Sequence, residues 1–150
     1  GLKVQTITFK FQDAGFIFNT HSQQRVVSVA FSEKLKSAIR TAVLKWSEVA
    51  DIEMVEKSGD EETDIRIIFA SITQGGVGYP AYPESPCDQI AGNLILTTKV
   101  TSPEKYALHE MGHVLGLGHV SSDNVLNPDR QYDELQAGDI AGIQSIYGRK

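Results

Sequence analysis

The chain reads as a single α+β domain, and three features predict this. It has 150 residues, 41% of them hydrophobic, which is enough for one well-filled core and short for two. Its first two thirds carry short alternating or apolar runs of strand length, while three longer stretches repeat apolar residues every three to four positions, the helical period. No internal repeat or low-complexity tract divides it, so residues 1–150 are one domain on this reading.

The elements follow in order. Residues 4–11 alternate, with Ile7, Phe9 and Phe11 on one face, and predict a first strand that Asp13, Ala14 and Gly15 break. Residues 16–18 and 26–29 flank the polar stretch 19–24 and predict a small hairpin, with His21 a solvated residue at its tip. Ser32 can cap the next helix, whose buried stripe is Leu35, Ile39, Ala42, Val43, Trp46 and Val49; Trp46 is therefore core and not a ligand platform. Two strands come next, at 52–55 and 64–69, and the charged run 56–62 between them reads as a solvated turn. Residues 71–92 hold glycine and proline with no helical period, and a further strand is expected over 92–97. Ser102, Pro103 and Glu104 form a helix start: a cap, a proline at the first helical position, and an acid at the positive end of the dipole. That helix runs uninterrupted to Gly116, with Ala107, Leu108, Met111, Val114 and Leu115 toward the core. A last helix, 136–147, buries Leu135, Ile140, Ile143, Ile146 and Tyr147 by period.

Chemistry concentrates in one run. The chain has four histidines, and His109, His113 and His119 are three of them. His109 and His113 lie four apart, on one face of a helix, so both imidazoles can reach one ion while Glu110 sits beside it without ligating. Gly116 can adopt positive φ, end the helix and return His119 to the metal. Three protein ligands with a fourth position left for water is the pattern of catalytic zinc. The plain alternative is a surface helix carrying histidines, and the added register of Gly116 and His119 argues against it.

The run His109-Glu110-Met111-Gly112-His113-Val114-Leu115-Gly116-Leu117-Gly118-His119 resembles the metzincin clan of zinc peptidases. The helix over 31–50, the strand Thr63-Asp64-Ile65-Arg66-Ile67-Ile68-Phe69, residues 75–83 and the final helix 139–148 resemble, within that clan, the matrixins (matrix metalloproteinases). The resemblance covers most of residues 31–148, and the predicted hairpin is an insertion relative to the family pattern. It implies a twisted, mostly parallel five-stranded sheet with an antiparallel edge strand, three helices, and a cleft holding zinc between an upper and a lower subdomain. It also implies peptide hydrolysis, with Glu110 as general base and an extended substrate pairing with the edge strand at Val77, Gly78 and Tyr79. Pro80 suits an edge strand, since it cannot donate to a ladder on both sides.

Further family positions carry over one at a time. The main specificity pocket implies Lys105, Asn127 and Pro128 as substrate-binding residues; Lys105 either makes that pocket smaller or more polar, or carries its ammonium to solvent. Leu126 stands where the clan places a methionine under the zinc, a swap of similar volume and polarity. The last helix begins in the family with two acids, and here these are Gly138 and Asp139; the resemblance gives Asp139 the role of bracing the turn at Leu126 and leaves Gly138 without a carboxylate for an N-terminal salt link. Ile95 and Thr97 occupy positions of metal-binding side chains, so one catalytic zinc is expected, a structural zinc is not, and calcium stays open.

Other classes are set aside on composition. The net charge is −5 and the basic residues are scattered, which does not make a nucleic-acid footprint. No apolar run is long enough to span a membrane. The single cysteine, Cys87, has no internal partner and reads as a loop or half-buried thiol and not as a latency switch. A secreted monomer is expected, any signal peptide or propeptide lying outside this chain. Two rivals to the peptidase are a zinc-containing peptide-binding module without turnover and a purely structural zinc staple; Glu110 argues against the first and an open fourth position against the second.

Overall fold

The computed structural model describes residues 4–19, 25–70, 77–78, 92–98, 102–118, 124–126 and 132–150. Within them the chain runs β1 (Gln5–Phe11), β2 (Ile17–Asn19), β3 (Arg25–Val27), α1 (Glu33–Val49), β4 (Ile52–Glu56), β5 (Ile65–Ala70), β6 (Val77–Gly78), β7 (Asn93–Thr97), α2 (Pro103–Val114) and α3 (Ala137–Tyr147). Five strands form one sheet in the order β4-β1-β5-β7-β6. The β1–β4, β1–β5 and β5–β7 pairs are parallel, while β6 runs antiparallel to β7 through Val77↔Ile95 and Gly78↔Leu94. This is the sheet that the resemblance implied, with three helices, as in the metzincin α+β fold.

Side-chain alternation divides the sheet between two apolar layers. Ile65 and Ile67 of β5, with Leu94 and Leu96 of β7, face the main core, which also takes Ile39, Trp46, Leu108, Met111 and Ile143 from the helices. Residues of the opposite parity, Ile68 and Ala70 of β5 and Ile95 of β7, form a second cluster with Phe18 and Val26. Those last two come from the β2–β3 hairpin, which lies over the sheet face opposite the helices. Every residue of β7 is consequently buried, as in a strand covered on both faces. The hairpin is fastened by Ser28, whose hydroxyl donates to the Asp13 carbonyl at 2.6 Å and accepts from the Phe16 amide at 2.9 Å. Next to it, the Val29 amide donates to the Phe69 carbonyl at 2.7 Å.

Helix α1 begins as its sequence demands: Ser32 is extended and its hydroxyl accepts from the Leu35 amide at 3.1 Å. Its stripe Ile39, Ala42, Val43 and Trp46 is buried. Three expectations change in detail. Ser102 precedes α2 without a side-chain capping bond, and Pro103 in the first turn makes the helix start instead. Helix α3 is capped by Gln136 and Asp139 reciprocally, and its Ile146 is 49% exposed, because only the Ile143 side of the helix reaches the core. Glu56 belongs to β4 and not to a solvated turn; it pairs with Arg40 of α1 in a two-pronged bond, Nε to Oε1 at 2.7 Å and Nη2 to Oε2 at 3.0 Å. That bond holds the Glu56 carboxyl below its ordinary range and raises the Arg40 guanidinium. Residues 79–82 of the expected edge strand, the hairpin tip with His21, and Cys87 lie outside the described residues.

Candidate metal centre

Helix α2 is amphipathic in a way that serves a site. Ala107, Leu108, Met111 and Val114 are buried, and His109 and His113 are half-buried one turn apart. Their Nε2 atoms stand 3.0 Å apart, with ring centroids at 4.7 Å and planes at 78°. The other nitrogen of each ring is tied to a backbone carbonyl: Nδ1 of His109 to Val125 at 2.6 Å, Nδ1 of His113 to Leu117 at 2.7 Å. A carbonyl only accepts, so each neutral ring carries its proton on Nδ1 and turns a lone pair outward on Nε2. Two such lone pairs repel at this distance unless a cation lies between them. Nitrogens at about 2.0–2.1 Å from a tetrahedral zinc ion are separated by little more than this, so the donor pair fits that metal. The carbonyl partners are the outer-shell bonds that metal-binding imidazoles need for orientation.

The end of α2 supplies one of those carbonyls. Gly116 has φ +113°, its amide donates to the His113 carbonyl at 3.0 Å, and the Leu117 amide donates to the Gly112 carbonyl at 2.9 Å. This is the paired reversal that a glycine permits after a helix, and it carries Leu117 back over the last turn to meet the His113 ring. Glu110, the neighbour of His109, is buried, only 6% exposed. Among the described residues no third metal-binding side chain joins the two histidines; His119 lies outside them.

A family model described as Matrixin matches residues 84–148. Metalloendoproteinase 1 of Glycine max is 31% identical over 141 residues, covering 77% of this chain and 46% of the relative. Metalloendoproteinase 5-MMP of Arabidopsis thaliana is 30% identical over 146 residues, 78% of this chain and 40% of the relative. The macrophage metalloelastase of Oryctolagus cuniculus is 31% identical over 137 residues, 77% of this chain and 29% of the relative. The chain belongs to the matrixin family. It spans less than half the length of these relatives.

In this matrixin the floor beneath α2 is apolar and tight. A Cβ on Gly112 would lie 2.8 Å from Trp46 Cζ2 and 2.9 Å from Leu126 Cδ2, so the helix is pressed between α1 and the turn 124–126. Trp46 also donates its indole N–H to the Leu108 carbonyl at 2.9 Å. Asn124, Val125 and Leu126 are all buried. Buried Asp139 holds their backbone: its Oδ2 accepts from the Val125 amide at 2.9 Å and from the Gln136 amide at 2.7 Å. Gly138 leaves room for Asn124, whose Oδ1 would be 2.5 Å from a Cβ there.

The remaining matrixin positions divide by place. Lys105 is half-buried on α2, and Val77 and Gly78 form the short edge strand β6. Tyr79, Asn127 and Pro128 lie outside the described residues. Ile95 and Thr97 are buried on the hairpin side of β7. Sequence reasoning missed Val125, Leu117 and Gly112. The first two act through backbone carbonyls, which side-chain identity does not encode; Gly112 carried a signal, a glycine in mid-helix where alanine is favoured by about 1 kcal/mol.

Proposed function

We propose that the chain is the catalytic domain of a zinc-dependent endopeptidase that hydrolyses peptide bonds of protein substrates. The observation that carries this reading is the 3.0 Å approach of two Nε2 atoms, each imidazole oriented by a carbonyl behind it. His119 would complete the ligand set. Zinc held there by these imidazoles would supply Lewis acidity for a water and for the scissile carbonyl. Glu110 would take a proton from the attacking water as its oxygen bonds to the carbonyl carbon, and hand a proton to the amine as the C–N bond breaks. The substrate backbone lies extended along β6, at Val77 and Gly78 and on to Tyr79. Lys105, Asn127 and Pro128 line the pocket for the side chain that follows the scissile bond. The domain works as a monomer outside the cell, a setting in keeping with its family; no helix of the described residues is long and apolar enough to cross a membrane.

The deciding experiment compares wild type with Glu110→Ala. Both should hold about one zinc per chain. Wild type should cleave casein or a quenched peptide in a chelator-sensitive way, and the variant should lose on the order of a hundredfold or more of turnover. Zinc in wild type without cleavage across broad peptide libraries would replace this reading with a peptide-binding module.

A further inference from the structure

We propose that Tyr147 of α3 is a positioning residue for His113, acting on that imidazole through the reversal that ends α2. This rests on the zinc reading above, in which His109 and His113 hold one ion.

The tie begins where α2 stops. Leu115 closes the helix, and its carbonyl is one of those that a helix end leaves without an amide of the next turn. Leu115 is buried, and the Tyr147 hydroxyl donates to this carbonyl at 2.7 Å, across 32 residues of sequence. Two residues on, the Leu117 carbonyl accepts from Nδ1 of His113. Leu117 in turn lies against α3, where a Cβ on Gly142 would be 3.1 Å from its Cδ2. Its amide closes the reversal on the Gly112 carbonyl. Residues 115–117 are thus held from α3 as well as from α2, and the His113 ring takes its direction from the last of them.

Helix α3 is a firm support for this tie. Ile143 is fully buried, and the Gln144 side-chain amide donates to the Val49 carbonyl at the end of α1 at 2.8 Å. Just past Tyr147, the Gly148 carbonyl accepts from the Asp51 amide at 3.0 Å. The first turn of the same helix reaches the other imidazole, since Asp139 holds the Val125 amide and the Val125 carbonyl accepts from Nδ1 of His109. One helix therefore orients both rings, each through a different backbone carbonyl, and the spacing of the two Nε2 atoms depends on both of its ends. A cavity of about 220 Å³ is lined by Val114, Leu115 and Tyr147. Without the hydroxyl, the reversal has space on that side into which it can relax.

The test uses zinc-loaded chain carrying 15N-histidine, and reads solvent exchange of each ring's Nδ1–H proton by NMR, with zinc affinity from chelator competition. Tyr147→Phe removes only the hydroxyl, and Gly142→Ala pushes on Leu117 from the same helix. Either variant should speed exchange at His113 about tenfold and leave His109 at its wild-type rate. The zinc Kd should rise about threefold to tenfold, less than for loss of a group that bonds the imidazole directly. Asp139→Asn should give the reverse pattern, with the change at His109. Phe18→Ala, which weakens the fold at the hairpin, should favour neither ring, so a one-sided change separates positioning from lost stability. Exchange at His113 unchanged in folded, zinc-loaded Tyr147→Phe overturns the proposal, and so does an equal change at both rings. Should wild type take up no zinc, the metal reading fails by itself, and the same comparison in metal-free chain decides for or against Tyr147.

Discussion

Leu126 rests on the bare Cα of Gly112. Its Cδ2 would be 2.9 Å from a Cβ at that position, with the Trp46 ring as close on the other side. The helix that carries His109 and His113 is therefore seated by contact at a glycine, and its height above the turn is set by that contact. Gly112→Ala gains helix propensity but must displace a buried leucine or a buried tryptophan. We expect a net loss of about 1–3 kcal/mol in denaturant unfolding and weaker zinc retention in a chelator competition. A variant as stable as wild type would show that the packing relaxes freely.

The same seat predicts how Leu126 tolerates change. Leu126→Met preserves volume and polarity, and should cost less than about 1.5 kcal/mol with cleavage activity kept. Leu126→Ala leaves a void under the helix and should cost about 2–5 kcal/mol. Thermal unfolding of the two variants side by side checks the ordering.

Asp139 reaches the proposed metal site through one residue. Its carboxylate holds the Val125 amide, and the Val125 carbonyl accepts from Nδ1 of His109. Asp139→Asn removes the charge from two hydrogen bonds and should destabilise the fold by about 1–3 kcal/mol. Zinc affinity should fall about 10- to 100-fold, the usual penalty for losing an outer-shell partner. Chelator titration of the folded variant reads this without any substrate; unchanged affinity would sever the proposed link.

The Arg40–Glu56 pair has a pH signature. Its hydrogen bond to Arg40 lowers the Glu56 pKa on folding, so the pair's contribution is present above the unfolded value and lost as pH falls through the folded one. Arg40 is raised and stays charged throughout that window. With side chains 42% and 36% exposed, solvent screening holds the effect to about 0.2–1 kcal/mol. Stability of Glu56→Gln should match wild type in acid and fall behind it from about pH 5 upward.

The hairpin predicts a stability independent of the metal. Phe18 and Val26 cover Ile68, Ala70 and Ile95 with apolar surface. Phe18→Ala should cost about 3 kcal/mol. Removing metal with a chelator should leave the amide protection of β5 and β7 in place. Loss of β7 protection on chelation would mean that an ion, and not the hairpin, holds that face.

Much of this architecture was legible in the residues. Apolar period, together with caps and a first-turn proline, located the three helices of the described residues and most strands, since apolar spacing of two or three to four is imposed by the faces a core must cover. The His109 and His113 pairing was legible for the same reason, a four-residue step being a geometric fact of helices. What escaped was decided by backbone and by neighbours. The Val125 and Leu117 carbonyls leave no mark in side-chain identity. Ile146 fits the period of α3, yet a terminal helix meets the core along one narrow line, and Ile146 falls beside it. Glu56 looked like part of a charged turn because Arg40, sixteen residues earlier, reaches it only once α1 has packed on β4.

The turn after α2 has one more consequence. Leu117 holds the helix end through its amide and the His113 ring through its carbonyl. Unwinding the final coil and unhooking the imidazole are thus a single event, so the centre behaves as a thermal fuse: on heating, ion release and fraying of that helix should share one midpoint.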